Sequence, residues 1–372
     1  MTINIELIET QGSWNKAFDH CCTMTTLAID TEFIRRNTYF PKVGLIQLAT
    51  EQQCFLIDPL AVNDLSSLAE LLTNPQIIKV LHSPSEDLEV FSYSLGVVPE
   101  PLFDTQLGAA FLGLPFSLGY QTLVAQVLDV HLEKGETKSN WLRRPLSETQ
   151  LQYAAQDVLY LLEIYRWMIV KLGELGRSSW LTEDCQAMVN GADTVKKALD
   201  YRRIKNAWKL SRVSLAVLIK LLAWRDCEAQ KRNTPRSWLI KNDVLLLISG
   251  TLPQTVHDLN QITGVSSNFV DSYGEEITNI VLEVIGLQQS ELPSPMPRLL
   301  GVEASKQLKK MKYIVKSWAE NWQIPVELLM KGKDLEVVQR WMNDSREPLP
   351  QSLLGWRMKH VIDPLVAKMK EV

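Results

Sequence analysis

The sequence predicts an α/β domain over residues 1–195 and an all-α region after it, on three observations. Short apolar runs alternate with helix-like segments through the first half, which is the pattern of an α/β domain. Beyond residue 195 the strand signal fades and apolar residues recur at helical spacing. A chain of 372 residues with 46% hydrophobic content is long enough for two or three packed domains and too apolar for disorder.

Each element has its own local signal. Thr26–Ile29 reads as a short buried strand ending at Asp30 and Glu32. Val43–Ala49 and Cys54–Ile57 read as two strands joined by a polar turn, and Asn63–Leu72 as a helix. I-I-K-V-L-H-S (77–83) is a further buried strand, and the segment 83–96 is a helix that Gly96 can cap. L-F-D-T-Q (102–106) leads as a strand into a helix at Leu107–Leu114. One long helix is expected over Ser147–Leu172, where Ser147 at the N-cap and Gln150 three residues on form a capping box. The later text, from S-L-A-V-L-I-K-L-L-A-W-R-D-C-E-A-Q-K-R-N onward, is helical throughout. E-L-P-S-P-M-P-R (291–298) has three prolines in eight residues and reads as a linker between two helical segments of similar length.

Composition excludes several classes. The five cysteines have no paired spacing, so neither a zinc site nor a disulfide framework follows, and free thiols fit a reducing compartment. No apolar stretch approaches the ~20 residues a membrane span needs, and M-T-I-N-I-E-L-I-E-T-Q-G-S-W lacks the basic and apolar regions of a signal peptide. A soluble cytoplasmic protein is expected. The net charge of −4 conceals an asymmetry: residues 1–195 carry 12 Lys+Arg against 24 Asp+Glu, and residues 196–241 carry 13 against 3. That basic segment interleaves its cations with Trp208, Trp224 and Trp238, which suits either a solvated helix face or a surface for a polyanion.

The chemistry-bearing residues are acidic. Asp30 and Glu32 stand two apart at a strand end and so face the same side. Asp87 lies near the start of the 83–96 helix, and Tyr153 and Asp157 sit four apart on one face of the later helix, in Y-A-A-Q-D. Ala154 and Ala155 between them are small enough for close approach of a backbone or a ligand. Taken singly, each of these is compatible with a strand end, a first-turn acid or a surface hydrogen bond.

In that order, with H-S-P-S-E-D-L-E-V-F (82–91), F-D-T-Q (103–106) and W-L-R-R-P-L (141–146) between them, the motifs resemble the DEDD family of 3′→5′ exonucleases, in the subgroup with tyrosine in the last motif. Within it the chain is closer still to the ribonuclease D family. L-I-K-L-L-A-W-R-D-C-E-A-Q-K-R-N (218–233) resembles the start of an HRDC domain, and L-L-G-W-R (353–357) the end of a second, diverged copy. The resemblance implies a ribonuclease H-like exonuclease domain over 1–195 and HRDC-like helical domains over 208–290 and 298–372. Asn140, before Trp141, departs from the aspartate that family members often carry, and leaves loop detail open.

The resemblance further implies that Asp30, Glu32, Asp87 and Asp157 hold two divalent ions, Mg²⁺ or Mn²⁺, with Glu32 also meeting the terminal 3′-hydroxyl. Hard oxygen ligands suit such ions, and a pair ~3.5–4 Å apart can activate water and stabilise both oxygens of a phosphodiester displacement. Tyr153 is implied to orient the water, since a phenol with a pKa near ~10 is a poor base at neutral pH. The implied product is a 5′-nucleoside monophosphate. The implied substrates are 3′ trailers of tRNA precursors and other small structured RNAs, with no obligate protein partner. The same acids serve DNA exonucleases, and a non-catalytic binding module would usually lack one of them. Softer candidates for RNA contact are Gln47, Lys134, Lys138, Trp141, Arg143 and Arg144, with Trp141 able to stack on a base or pack inside. His82 and Asp104, both at strand ends, read as structural.

Overall fold

The computed structural model describes residues 3–132, 135, 139–192, 199–296, 301–343 and 348–370. Its contacts group the chain into two compact units, one of Met1–Ile34, Lys42–Ala192 and Leu300–Val372, the other of Arg35–Pro41 and Asp193–Leu299.

The first unit is built on a six-stranded sheet of β1 (Asn4–Ile8), β2 (Thr26–Ile34), β3 (Lys42–Ala49), β4 (Gln53–Ile57), β5 (Ile78–Leu81) and β6 (Leu102–Asp104), in the order β1-β4-β3-β2-β5-β6. β2 lies centrally, antiparallel to β3 and parallel to β5. Leu27, Ala28 and Ile29 are wholly buried, so this strand is covered on both faces and reads as an unbroken apolar run rather than an alternating one. β1 and the helix after it, α1 (Gln11–Cys22), were not legible. β1 is a short strand of mixed polarity at the sheet edge, and its Ile5 is exposed. α1 is held by a Thr10–Ser13 capping box and buries Trp14, Ala17 and Cys21.

α2 (Ser66–Thr73), α3 (Ser85–Leu95), α4 (Thr105–Phe111), α5 (Tyr120–Leu128), α6 (Glu148–Leu159), α7 (Leu161–Glu174) and α8 (Ser178–Asn190) complete the part of this unit that precedes residue 193. Gly96 closes α3 in the left-handed conformation, with φ 72°, as its position suggests. The long helix expected over Ser147–Leu172 is instead two. The capping box of Ser147 and Gln150 starts α6, but the ladder is interrupted at Tyr160. The Tyr120 hydroxyl is inserted there, donating to the Gln156 carbonyl at 3.1 Å and accepting from the Tyr160 N–H at 3.3 Å. A side chain placed between an i carbonyl and an i+4 amide is a recognised cause of a helix break.

The second unit is helical. α9 (Arg212–Lys231), α10 (Arg236–Leu239), α11 (Asn242–Thr251), α12 (Val256–Asn260) and α13 (Ser267–Ile285) enclose a core that includes Leu215, Leu218, Leu245, Ile248 and Ile277. The short segment Arg35–Pro41 joins this unit through Tyr39, whose hydroxyl donates to Asp226 at 2.9 Å on α9.

Residues 302–370 are helical as expected, in α14 (Val302–Trp322), α15 (Val326–Leu329), α16 (Gly332–Asn343) and α17 (Asp363–Lys370). Among the described residues they do not form a separate core. Met311, Val315, Leu329, Val338 and Ile362 join the same buried cluster as Phe111, Leu181 and Cys185. The expected second HRDC-like segment therefore packs within the first unit. The L-L-G-W-R motif makes the joint: Trp356 stacks on Trp180 with centroids 4.7 Å apart and planes 8° off parallel. Arg357 forms a two-pronged pair with Asp184, at 2.5 and 2.7 Å.

Candidate active site

The acids converge from three elements of the first unit. Asp30 and Glu32 project from β2 on one face, and the register shift between Glu32 and Phe33 re-aims the strand just after them. Asp157 comes from α6, which can lie close to the sheet because Ala154 and Ala155 are fully buried against it together with Ala28 and Leu45. The partner that those small residues admit is thus the sheet. One carboxylate oxygen from each of Asp30, Glu32 and Asp157 falls within 4.8 Å of the others. Asp87, at the start of α3, is buried beside them and accepts a hydrogen bond of 2.5 Å from the Thr31 hydroxyl.

Electrostatics follow from that geometry. Burial first, then repulsion from Asp87, Asp157 and Glu32, holds Asp30 well above the ordinary carboxylate range. Burial and the charges of Asp157 and Asp87 push Glu32 up to about 9. Burial pushes Asp87 and Asp157 each to about 7, against the pull of hydrogen bonds from Thr31 and Tyr153 respectively. Four carboxyl groups crowded in this way are unfavourable when bare and well matched to added positive charge. The donor set, all hard oxygens with no imidazole or thiolate among them, fits Mg²⁺ or Mn²⁺.

Tyr153 stands one turn before Asp157 and hydrogen-bonds to its carboxylate. Burial and the neighbouring acids hold its phenol well above the ordinary value, so it stays protonated at any working pH. Gly135 packs on its ring: a Cβ there would lie 2.0 Å from Cδ2 of Tyr153, so no larger residue fits without displacing the ring.

The softer candidates divide. Gln47 lies opposite Asp30 in the β2–β3 register but is wholly buried, and neither amide atom meets a partner among the described residues, so it offers no surface to a strand. Trp141 is 2% exposed and packs against Tyr153 with centroids 6.1 Å apart; it belongs to the core and is not a stacking platform. Arg144 is also corrected. Its guanidinium pairs with Asp58 and donates to the Gly44 and Trp141 carbonyls at 2.6 and 2.8 Å, which leaves it a strut of the loop. Arg143 is exposed. Lys134 and Lys138 lie outside the described residues. His82 is structural as read, with Nε2–H donating to the Leu118 carbonyl at 3.0 Å and Nδ1 accepting from the Thr105 hydroxyl at 2.9 Å. Asp104 caps α4, accepting from the amides of Gln106 and Ser83. Thr31, Tyr120 and Gly135 were missed. Thr31 sits inside the acidic motif itself, but nothing in its neighbours announces a partner 56 positions away.

A family model described as 3′-5′ exonuclease matches residues 5–172, and one described as HRDC domain matches residues 214–281. With the acid cluster in the first match and the helical unit holding the second, the chain is a 3′→5′ exonuclease joined to an HRDC domain. A ribonuclease D of Pseudomonas paraeruginosa is 40% identical over 341 residues, covering 91% of this chain and 90% of that protein. Ribonuclease D of Escherichia coli is 33% identical over 99% of both chains. The crystal structure of E. coli RNase D superposes with a TM-score of 0.89, 32% identity and 99% coverage of each chain. The chain belongs to the ribonuclease D family. It is a 3′→5′ exoribonuclease that uses divalent metal.

Proposed function

We propose that Asp30, Glu32, Asp87 and Asp157 together hold two divalent ions, and that the enzyme trims 3′ trailers of tRNA precursors and other small structured RNAs, one 5′-nucleoside monophosphate at a time. The observation that carries this reading is the convergence of carboxylate oxygens from β2 and α6 within 4.8 Å, with Asp87 beside them. The E. coli relative is described as an exoribonuclease involved in structured RNA processing, which supports the choice of substrate class.

Bound divalent ions supply a water of lowered pKa and a counter-charge for the phosphate oxygens. The chain's own residues do the rest. The phenol of Tyr153 stays protonated, so it orients the attacking water by hydrogen bonding rather than removing its proton. Glu32, two residues before the end of β2, is the acid suited to accept from the terminal 3′-hydroxyl and so to select a strand end over an internal bond. Thr31 holds Asp87 to one rotamer. Hydrolysis adds water across the last phosphodiester: the P–O3′ bond breaks, the shortened strand keeps a 3′-hydroxyl, and the released nucleotide keeps the 5′-phosphate.

The test uses a 5′-labelled tRNA with a short 3′ extension, incubated with Mg²⁺ or Mn²⁺, with a matched single-stranded DNA in parallel. Wild type should give a one-nucleotide ladder on RNA that is weak on DNA and absent with Asp30→Asn. Shortening that stops short of the extension, or an undiminished ladder with Asp30→Asn, would overturn the reading.

A further inference from the structure

The second unit contains a cavity of about 670 Å³ that the exonuclease chemistry does not use. Its wall carries Arg203, Lys205, Arg225 and Lys241, together with Arg236, which is paired with Asp226 at 2.5 Å, and one carboxylate, Asp243. Asp243 is partly engaged, accepting from the Val244 amide at 3.0 Å. The cavity therefore presents a concentrated positive potential in a low-dielectric wall.

The decisive residue is Arg225. It is 6% exposed, donates through Nη1 to the Ile240 carbonyl at 3.0 Å, and its Nε–H meets no acceptor among the described residues. A buried guanidinium ordinarily sits in an ion pair, because an uncompensated buried charge is costly. The adjacent acid does not supply one. The Asp226 carboxylate is taken by the Tyr39 hydroxyl at 2.9 Å, Gln230 at 2.7 Å and Arg236 at 2.5 Å. Burial and the neighbouring Arg236 pull Arg225 down to about 10, and the Asp226 charge offsets this only in part.

A second feature points the same way. The N-terminus of the ten-residue helix α11 opens on the cavity through Lys241, Asn242 and Asp243; the N-cap Lys241 makes no side-chain cap, and Asp243 engages the Val244 amide. Uncapped amides at a helix start attract anions. Ile204 and Leu246 give the cavity an apolar side, and its volume is within the range of small-molecule sites.

We propose that this cavity is a phosphate-binding pocket, with Arg225 at its base and Arg203 and Lys241 at its rim. Its ligand carries a phosphate group, either on a free nucleotide or on an RNA strand. Planar guanidinium forks and helix amides are the donors that a phosphate needs on several sides at once. The inference stands on the second unit alone and does not depend on the acid site.

The experiment uses the full chain carrying Asp30→Asn, in chelator, so that neither turnover nor metal at the acid site contributes. Inorganic phosphate, adenosine 5′-monophosphate and adenosine are titrated calorimetrically. Saturable binding of the two phosphate-bearing ligands, and none of adenosine, is expected. The double substitution Arg203→Ala/Lys241→Ala, at exposed positions, should weaken binding at least tenfold with an unchanged melting temperature, and Arg225→Met should abolish it. An oligoribonucleotide without terminal phosphates then separates the sources: displacement of the nucleotide assigns the pocket to the strand backbone, and no displacement assigns it to a phosphomonoester. Absence of phosphate binding, equal binding of adenosine, or binding unchanged in the double variant would each overturn the proposal.

Discussion

The acid cluster on β2 and α6, and the clasp that Trp356 and Arg357 make on α8, are both assemblies of charged side chains in one unit, wired in opposite ways. In the clasp each charge is answered. Both Arg357 prongs reach Asp184, the Trp356 indole donates to the same carboxylate at 3.0 Å, and the Trp356 amide donates to Glu183 at 2.7 Å. In the cluster, Asp30 faces three other carboxyl groups, and burial adds to their repulsion. A satisfied set of charges holds structure together. An unsatisfied set, kept in place by the packing around it, marks where an external cation is to be bound.

The largest expected effect breaks the comparison at the cluster. Asp30→Asn should lower exonuclease activity by about 10³-fold or more, since it removes one of the proposed metal ligands. In chelator the same substitution should raise stability by about 1–2 kcal/mol, because it relieves repulsion among the acids. A lower melting temperature of the variant in chelator would show that the acids are not mutually destabilising. At the clasp the sign reverses: Asp184→Ala leaves Arg357 half-buried without its partner and should cost about 3 kcal/mol in urea unfolding. A cost below ~0.5 kcal/mol would reduce the clasp to an ordinary surface pair.

A third test concerns a histidine close to the site in sequence yet wired like the clasp. Burial holds His82 down to about 4, against an ordinary 6.5, with its ring placed between Thr105 and Leu118. Its folded pKa is depressed, so its contribution is full above pH 6.5 and is lost as pH falls toward 4. Over that window wild type should lose up to about 3 kcal/mol more stability than His82→Asn. Parallel stability–pH curves for the two proteins would refute this. The smallest effect sharpens the account of the cluster. Tyr120→Phe removes the hydroxyl that interrupts the ladder between α6 and α7, which frees Gln156 and Tyr160 to pair directly and shifts the turn that carries Asp157. About a tenfold loss of activity is expected with a melting temperature changed by less than ~3 °C. Unaltered activity would show that the break has no bearing on the site.

Much of the site was legible because its residues sit inside local patterns. Tyr153 and Asp157 share a helix face and Asp87 follows a strand–helix junction. Asp30 and Glu32, expected at a strand end, lie within β2, which runs on to Ile34, and it was the order of these motifs and their resemblance to a known family that picked them out. Three of the six RNA-contact candidates failed for a physical reason: Gln47, Trp141 and Arg144 have the chemistry of a nucleic-acid surface, but packing buries the first two and Asp58 engages the third. The break at Tyr160 was equally hidden. The local sequence there favours an unbroken helix, and the group that interrupts it lies 40 residues earlier.

The sequence by itself, through residue type and short-range spacing, determined the basic bias of residues 196–241 and most of the order of elements after α1, and through the resemblance of its motifs to a known family it pointed to the acidic set and the exonuclease class. Only the tertiary structure decided that residues 302–370 join the core of the first unit, that Asp226 is occupied by Tyr39, Gln230 and Arg236, and that the Arg225 Nε–H meets no acceptor among the described residues. Those outcomes rest on which partners compete for one buried group, and that competition is settled by contacts between residues far apart along the chain.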